Sequence, residues 1–158
     1  MVSYSPLTAE LKAIIADGLS PDSSIVDRGN LVEYSSDAST LSYLPELVVL
    51  AGNTDDIKSL IELANRYNFP VTPRGGGSGL AGGCLPSRGG VVLSTMGLDR
   101  IERIDTGNFI MKVGAGVISL KVREAAEAAG LFYPPDPAGM DQSTIGGNGA
   151  TDAGGHPA

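Results

Sequence analysis

The pattern of hydrophobic and polar positions changes along the chain, and it predicts a mixture of helices and strands. At the start, apolar residues recur at helical spacing, which predicts an amphipathic helix over residues 7–17 that Gly18 can end. From residue 20 to residue 44 the pattern is irregular, with short strands predicted around Ile25 and Leu31.

The clearest unit follows this irregular stretch. Leu47–Leu50 is a short apolar run, as expected of a buried strand. Asn53 or Thr54 can cap a helix whose apolar positions continue at helical spacing to Tyr67. Residues 69–72 have the pattern of another strand, so this part of the chain predicts a βαβ unit with one crossover helix.

The second half of the chain predicts further strands and one more helix. Strands are predicted over residues 90–94, 101–105 and 109–113, the last two joined by a turn at residues 105–108. Ser119 can cap a helix that runs to Ala129, where Gly130 is a natural stop. The prolines of residues 133–137 exclude helix, and residues 139–158 contain six glycines and no predicted strand. A domain rarely ends on such a segment, so we expect the chain to be cut from a longer protein.

Glycine is the unusual feature of the composition. The 158 residues are the length of one domain, and 22 of them are glycine, which is about twice the usual share. The glycines cluster at residues 75–83, 114–116 and 146–155. Because glycine lets another backbone or a ligand come close, the clusters predict loops that hold a ligand against the main chain.

The charge and the cysteine content disfavour several classes of protein. A formal net charge of −7 argues against a general nucleic-acid binder, although backbone amides can bind an anion at any net charge. The chain has no apolar run of about 18 residues, so no membrane span is predicted. Cys84 is the only cysteine and residues 1–6 lack the pattern of a signal peptide, which favours the cytoplasm.

Residues 77–82 match the dinucleotide fingerprint G-x-G-x-x-G, but their context does not. That fingerprint needs a strand before the glycines and a helix directly after them. Pro86 and Gly89 would break a helix at that place. This disfavours a Rossmann fold with NAD, and the G-x-x-x-x-G-K-[ST] motif of a P-loop is also absent.

The same loop predicts a different kind of phosphate site. Eight of the eleven residues 73–83 are Gly, Ser or Ala, so consecutive N–H groups can face the oxygens of a pyrophosphate. Arg74 either adds positive charge or is a surface arginine at the end of a strand, and the sequence supports both equally. A flexible linker is the alternative for the whole loop, but Pro73 and the flanking apolar strands disfavour it.

Three linked motifs resemble one known family. Residues 73–83 read P-R-G-G-G-S-G-L-A-G-G, residues 133–137 read Y-P-P-D-P, and residues 143–155 read S-T-I-G-G-N-G-A-T-D-A-G-G. In order and spacing they resemble the FAD-linked oxidases of the vanillyl-alcohol oxidase superfamily, in the branch of D-lactate dehydrogenase and the glycolate oxidase FAD subunit. The resemblance covers residues 45–158.

The resemblance implies an α+β fold, the PCMH-type FAD-binding domain, in which FAD lies between two α+β subdomains. Residues 1–158 would form part of this domain, with residues 1–90 as the first subdomain and residues 91–158 as the start of a truncated second one. The substrate domain would be absent. We therefore expect this chain alone to be inactive.

The resemblance also implies which residues bind FAD. The glycine loop would bind the pyrophosphate, and the two later motifs would lie along the flavin and the phosphates. The residues so assigned are Pro73, Arg74, Gly75, Gly76, Gly77, Ser78, Gly79, Leu80, Gly83, Pro135, Asp136, Ser143, Thr144, Gly146, Gly147, Asn148 and Ala150. Relatives with covalently bound FAD often have a histidine where this chain has Ser78, so we predict non-covalent FAD. No metal site is predicted. Asp152 stands where an asparagine is common, which affects one local hydrogen bond.

The implied reaction is the oxidation of a small 2-hydroxy acid, of the glycolate or D-lactate type, by hydride transfer to flavin N5. No catalytic residue is assigned. His156 is interpreted as a tail residue, Cys84 as a packing residue, Tyr133 as either a neighbour of the flavin or plain core, and Asp136 as a cofactor contact rather than only a turn residue. The implied partners are the hydroxy acid, bound through the missing domain, and an electron acceptor or a partner subunit.

Three other interpretations stay open. The chain can be a non-catalytic module that binds a nucleotide or a phosphate. It can also belong to the cell-wall precursor reductases that use FAD and NADPH on the same fold, although residues 133–137 and 143–155 fit those less well. As a fragment it can fold and bind nothing. The expected location is the cytoplasm, either free or at a membrane surface through a partner.

Overall fold

The structure, a computed structural model of the chain, describes residue 4, residues 6–26 and residues 28–155. The helices are α1 (Ala9–Asp17), α2 (Thr54–Tyr67), α3 (Ser119–Ala128) and α4 (Ile145–Thr151), and a 3-10 helix covers Arg28–Tyr34. The strands are β1 (Ser24–Ile25), β2 (Leu47–Leu50), β3 (Val71–Arg74), β4 (Val91–Ser94), β5 (Ile101–Asp105) and β6 (Ile110–Val113). His156, interpreted above as a tail residue, lies outside the described residues.

The main sheet has four strands in the order β1-β2-β4-β3. β4 pairs in parallel with β2 on one side and with β3 on the other, and all four of its residues are buried. Helix α2 therefore connects two parallel strands that are not neighbours. The elements of the predicted βαβ unit are confirmed, but β4 is inserted between its two strands.

The predicted division between residues 90 and 91 does not follow this sheet. Val91 pairs with Leu47 and with Val71, so β4 belongs with the strands before it. A division after Ser94 would keep this sheet whole, and the division into two subdomains stays a prediction. The antiparallel pair β5–β6, which follows, forms a separate two-stranded sheet.

The core lies between one face of the main sheet and helices α1 and α2. Ile15 of α1 and Leu60 of α2 are fully buried, in one cluster with Val49 and Val91 of the strands. Burying one such side chain contributes roughly 2 kcal/mol. This packing, more than helix propensity, fixes both helices on the sheet.

Helices α1 and α2 end where the sequence predicts. Gly18 is the C-cap of α1, which begins at Ala9, two residues later than expected. The Asn53 side chain caps α2 by accepting from the amide of Asp56 at 2.9 Å, and α2 ends at Asn68 in the left-handed conformation. Among the described residues, no helix is long and apolar enough to cross a membrane.

Two strand predictions need correction. The strand expected around Leu31 is wrong, because this residue lies in the 3-10 helix. Local bonds between residues three apart replace strand pairing there. The strand expected over residues 69–72 begins instead at Val71, since Pro70 has no N–H group to donate to a neighbouring strand.

Two helix predictions also need correction. Ser119 is the first residue of α3 and makes no capping bond, since the cap position is Ile118. The glycine-rich segment after residue 139, for which no element was predicted, contains helix α4. Thr144 caps this helix by accepting from the amide of Gly147 at 3.2 Å.

An apolar groove of about 520 Å³ lies between the β5–β6 hairpin and α3. Phe109, Ile110 and Phe132 line it and are 80%, 62% and 71% exposed. Tyr133 lines the same groove, and burial raises the pKa of its phenol. Tyr133 is therefore part of an apolar surface, half-buried rather than in the closed core.

Asp56, near the start of α2, is a buried carboxylate whose oxygens are fully engaged. They accept from the amide and hydroxyl of Ser20 and from the hydroxyl of Ser23, each at 2.7 Å. Burial opposes the charged form, but these hydrogen bonds outweigh burial and lower the pKa below its usual value of 3.8. The charged group therefore ties α2 to the segment that follows α1.

We expect Asp56→Asn to lower the free energy of unfolding by roughly 2–3 kcal/mol near neutral pH, because an amide cannot accept all three hydrogen bonds. The exposed neighbour provides the control Asp55→Asn, which should cost less than about 1 kcal/mol.

The folded-state pKa of Asp56 is depressed, so the stabilisation by Asp56 is present above the unfolded-state pKa and is lost as pH falls through the folded-state pKa. Urea unfolding near pH 7 and near pH 3 measures both effects. An Asp56→Asn deficit of equal size at the two pH values would contradict this account.

Candidate functional site

The glycine loop, residues 75–83, leaves the main sheet at the edge where its parallel strands end. β3 and β4 stay in register up to Arg74 and Ser94, and the amide of Thr95 donates to the carbonyl of Arg74 at 2.9 Å. The loop therefore starts from a fixed point. In sheets with parallel strands, ligands bind outside the carboxyl ends of the strands.

The first two glycines of the loop pack directly on the third motif. A Cβ atom on Gly75 would collide with the hydroxyl oxygen of Thr144, and a Cβ atom on Gly76 would collide with the carbonyl oxygen of Gln142. A larger residue would have to displace the Thr144 side chain at position 75 and the Gln142 backbone at position 76. The structure thus brings together Gly75, Gly76 and Thr144, which the sequence assigned to one site from distant motifs.

The loop then presents a row of unused donors. Within the described residues, the backbone N–H groups of Gly76, Gly77, Ser78 and Gly79 donate to no protein acceptor. Gly77 has a φ of +71°, in the left-handed region. A left-handed residue is part of the backbone conformation of anion-binding nests. Four consecutive free donors can bind the oxygens of a phosphate or a pyrophosphate.

The far end of the loop is held by a segment that sequence reasoning missed. Asp37 accepts from the amide of Gly82 at 3.0 Å, and the amide of Ala38 donates to the carbonyl of Gly79 at 3.0 Å. Burial raises the pKa of Asp37, but hydrogen bonds from Ser39 and Gly82, with the charge of Arg74, outweigh it and lower the pKa. The signal in the sequence was the Asp-x-Ser spacing of residues 37–39, typical of a side chain that bonds the backbone two residues on.

Arg74 does not lie at the surface. The residue is 8% exposed, and its guanidinium lies under the loop, where a Cβ atom on Gly77 would collide with Nη2. The interpretation as a surface arginine is therefore wrong. The other interpretation, an added positive charge at the loop, is compatible with this position.

The third motif uses its first amides within the protein. At the start of α4, the amide of Ile145 donates to Val117 and the amide of Gly146 donates to Ala115, both at 2.9 Å. The amide of Gly147 donates to the Thr144 cap. These contacts explain the glycine at 146, where a Cβ atom would press on Ala115. By contrast, the amides of residues 76–79 in the glycine loop donate to no acceptor among the described residues.

Ser143 and Asn148 join α4 to α3 through Ser119. The Ser119 hydroxyl lies 3.0 Å from that of Ser143 and accepts from the amide nitrogen of the Asn148 side chain at 2.7 Å. The amide of Ser119 donates to the Ser143 carbonyl at 2.9 Å. Ser119 is fully buried, which explains why it does not cap α3. The two predicted site residues Ser143 and Asn148 therefore fix the frame of the site.

The second motif lies beside the end of the third. The amide of Asp136 donates to the carbonyl of Gly154 at 2.9 Å, and a Cβ atom on Gly155 would collide with the Asp136 carbonyl. The carboxylate of Asp136 is exposed and forms a salt bridge with Arg123 at 2.5 Å. Pro135 beside it is half-buried. Within the described part of the chain, no hydrogen bond or salt bridge joins Pro135 or Asp136 to the glycine loop.

The remaining predicted site residues lie at the margin. Leu80 is 77% exposed, and a Cβ atom on Gly83 would meet open space. Pro73 is exposed in β3, and Ala150 is exposed on α4. These residues border the loop and the helix without bracing either. Their assignment to FAD stays a prediction.

A family model described as FAD binding domain matches residues 45–158, more than half of the chain. The chain belongs to this family of FAD-binding domains. It is 44% identical over 122 residues to glycolate oxidase subunit GlcD of Bacillus subtilis, across 76% of this chain and 26% of that protein. It is 41% identical over 111 residues to the D-lactate dehydrogenase of Anaerostipes hadrus, across 70% of this chain and 23% of that protein. The chain spans about a quarter of the length of these relatives.

Solved structures share the fold of this FAD-binding domain. Alkyldihydroxyacetonephosphate synthase superposes with a TM-score of 0.83 at 21% identity, over 99% of this chain and 32% of that one. The 4-ethylphenol oxidase of Gulosibacter chungangensis superposes with a TM-score of 0.74 at 24% identity, over 93% of this chain and 30% of that one. The predicted α+β fold of the PCMH type and the predicted cofactor, FAD, are confirmed.

The glycine loop fits the pyrophosphate of FAD. A pyrophosphate needs several donors that converge on its oxygens, and residues 76–79 offer four free amides in sequence. Side chains are absent at three of these four positions, so a ligand can reach the backbone. The loop thus has a set of backbone donors that a pyrophosphate could use without a side-chain charge at the surface of the loop.

Cys84 lies at the end of the loop in this FAD-binding domain. It is half-buried, and its Sγ accepts a hydrogen bond from Nη1 of Arg74 at 3.4 Å. Burial raises the pKa of the thiol and outweighs the nearby positive charge of Arg74. A protonated thiol of this kind is a poor nucleophile, which agrees with the interpretation as a packing residue.

We expect Gly76→Ala to lower the free energy of unfolding by roughly 1–3 kcal/mol, because the methyl group forces the Gln142 backbone away. Gly83→Ala places the same methyl group in open space and should change stability by less than about 0.5 kcal/mol. Urea unfolding of both variants checks the prediction. Equal stability of the two variants would mean that the loop does not rest on residues 142–144.

Proposed function

We propose that this chain is the FAD-binding part of a flavin-dependent oxidoreductase that oxidises a small 2-hydroxy acid, of the glycolate or D-lactate type. The observation that carries the cofactor site is the row of four free amides at residues 76–79, held against residues 142–144. The names of the relatives support the substrate class. They are a glycolate oxidase subunit, a D-lactate dehydrogenase and a D-2-hydroxyglutarate dehydrogenase, and their substrates share one 2-hydroxy acid unit.

The residues of this chain would bind and orient the cofactor. The amides of residues 76–79 would hold the pyrophosphate, and Ser78 offers no imidazole for a covalent link, so we propose non-covalent FAD. When bound, FAD supplies the hydride acceptor for oxidation of the hydroxyl-bearing carbon. The chain would contribute position and electrostatics, and we assign no catalytic base within it.

The partners belong to the whole protein. We propose that the hydroxy acid is bound by a substrate domain outside this chain, and that electrons leave FAD to an acceptor protein or a small acceptor. The cytoplasm is the proposed location, either free or at a membrane surface through a partner. These statements rest on the resemblance and on the relatives.

We expect the chain to bind FAD saturably, with quenched flavin fluorescence and a shifted flavin absorption band, because the loop amides offer donors to the pyrophosphate. Titration of the purified chain with FAD measures this. The rival phosphate module predicts that ADP binds as tightly as FAD and that the flavin spectrum stays unperturbed. If neither ligand binds, repeating the titration with any downstream sequence attached separates an incomplete cleft from a wrong assignment.

A loop variant locates the binding site within the chain. Gly79→Asp places a carboxylate beside the free amides, in open space that the fold tolerates, and should weaken FAD binding at least tenfold by charge repulsion. Gly29→Asp makes the same change at another open glycine, in the 3-10 helix, and should leave the affinity unchanged. Equal affinities for the two variants would place the pyrophosphate elsewhere.

The substrate class is tested on the whole protein that contains this chain. Under anaerobic conditions, glycolate, D-lactate or D-2-hydroxyglutarate should bleach the flavin absorption near 450 nm (an approximate value for oxidised flavin), because the cofactor accepts the hydride. NADPH should not bleach it, which separates the proposal from the cell-wall precursor reductase. Bleaching by NADPH and by none of the hydroxy acids would reverse the conclusion.

A further inference from the structure

Arg74 is the charged side chain that lies beneath the glycine loop. The residue is 8% exposed, and a Cβ atom on Gly77 would collide with its Nη2 and Cζ atoms. The guanidinium therefore touches the loop from the protein side, at the third glycine. Gly77 is needed here both for its φ of +71° and for the space that the guanidinium takes.

The partners of this guanidinium leave its charge without a counter-ion in contact. Nη1 donates to Cys84 Sγ at 3.4 Å, Nη2 donates to the backbone carbonyl of Glu33 at 3.5 Å, and Cζ lies 5.7 Å from the ring centroid of Tyr34. The carbonyl and the ring carry no charge, and the Cys84 thiol is neutral because burial raises its pKa. Among the described residues, no carboxylate forms a salt bridge with Arg74. Asp37, whose pKa the charge of Arg74 helps to lower, interacts with it only at longer range.

A buried charge of this kind acts strongly on its nearest surroundings, because water does not screen it. Besides the carbonyl of Glu33, the backbone beside it is the loop, whose amides at residues 76–79 have no acceptor in the described part of the chain. Burying an arginine without an ion pair is unfavourable unless another charge compensates it. An anion bound on the outer side of the loop would provide that compensation.

We propose that Arg74 is a positioning residue for FAD that acts through the loop: it braces the backbone at Gly77 and attracts the pyrophosphate by its charge, without donating a hydrogen bond to it. The proposal rests on the proposed role of the loop in binding FAD. It differs from the common arginine–phosphate contact, in which the guanidinium donates directly to phosphate oxygens.

The test compares FAD affinities of the full chain and three variants by flavin fluorescence. Arg74→Met removes the charge and should weaken binding roughly 10- to 100-fold. Arg74→Lys keeps the charge and should bind within about fivefold of the wild type. The control is Arg88→Met, an exposed arginine beside the first residue of β3, at the other end of that strand. It loses the same charge and should bind FAD normally.

Two outcomes would overturn the proposal. One is a folded Arg74→Met variant, checked by circular dichroism and urea unfolding, that binds FAD as tightly as the wild type. The other is an equal loss of affinity in Arg74→Met and Arg74→Lys, because a brace without an electrostatic part would not be rescued by lysine.

Asp37→Asn keeps the question answerable if Arg74→Met fails to fold. Asp37 is the carboxylate whose pKa the charge of Arg74 helps to lower. The asparagine oxygen can still accept from the amide of Gly82, although the bonds from Ser39 to the other oxygen are lost. Removing this negative charge should tighten FAD binding severalfold. Unchanged or weaker binding by a folded Asp37→Asn variant would count against the proposal.

Failure of the proposed function gives a different result. If the wild-type chain does not bind FAD, calorimetry with inorganic pyrophosphate measures the loop alone. Pyrophosphate binding that Arg74→Met weakens and Arg74→Lys retains would support the role of Arg74 while the flavin assignment fails. No pyrophosphate binding by the wild-type chain would overturn both proposals.

Discussion

The contact between the first glycines of the loop and residues 142–144 is the constraint on which the site depends. Gly75 rests on the Thr144 side chain and Gly76 on the Gln142 carbonyl, with no room for a Cβ atom at either position. Thr144 also caps α4, and the neighbouring Ser143 carbonyl accepts from the first amide of α3. One short segment therefore fixes the loop and both helices of the second half, so their positions cannot vary independently.

The glycines of the loop have two different physical roles. Gly75, Gly76 and Gly77 have protein atoms where a Cβ would lie, whereas Gly79 and Gly83 have open space there. The inner part of the loop is thus packed and the outer part is bare. Within the described residues, the amides of Gly76 and Gly77 donate to no protein acceptor. These packed residues can therefore make the loop rigid and still offer their N–H groups to a ligand. A linker of equal glycine content would have the bare part only.

The elements that the sequence predicted well are those with local signals. Helix α2 has a cap at Asn53 and a left-handed end at Asn68, and β2 and β4 are short apolar runs with their residues mostly buried. The position of β4 in the centre of the sheet had no such signal, because strand order depends on pairing between distant segments. Of the candidate site, the three motifs were predictable as sequences, and the contact of the first with the third through Gly75 and Thr144 was not.

Helix α4 and Ser119 were mispredicted for one common reason. Gly146, Gly147 and Gly149 each disfavour helix by about 1 kcal/mol, so local propensity predicts a loop. The helix forms because tertiary contacts at its first turn, above all the bond from Ile145 to Val117, outweigh that preference. Ser119 has the local signal of a cap, but its hydroxyl is needed for the buried contact with Ser143. At Ser119, the hydrogen bonds of the tertiary structure outweigh the local preference for a helix cap.

The net charge of −7 does not oppose the binding of an anionic cofactor, for a reason that lies in distance and burial. Exposed carboxylates are screened within about 8 Å at physiological ionic strength, so most of the acidic surface contributes little at the loop. Arg74 lies in contact with the loop and is buried, where screening is weak. Asp37, the acidic group beside it, is engaged by Ser39 and Gly82. The local potential at the loop is therefore set by four amides, the Arg74 guanidinium and the Asp37 carboxylate, and the net charge of the chain is a poor guide to it.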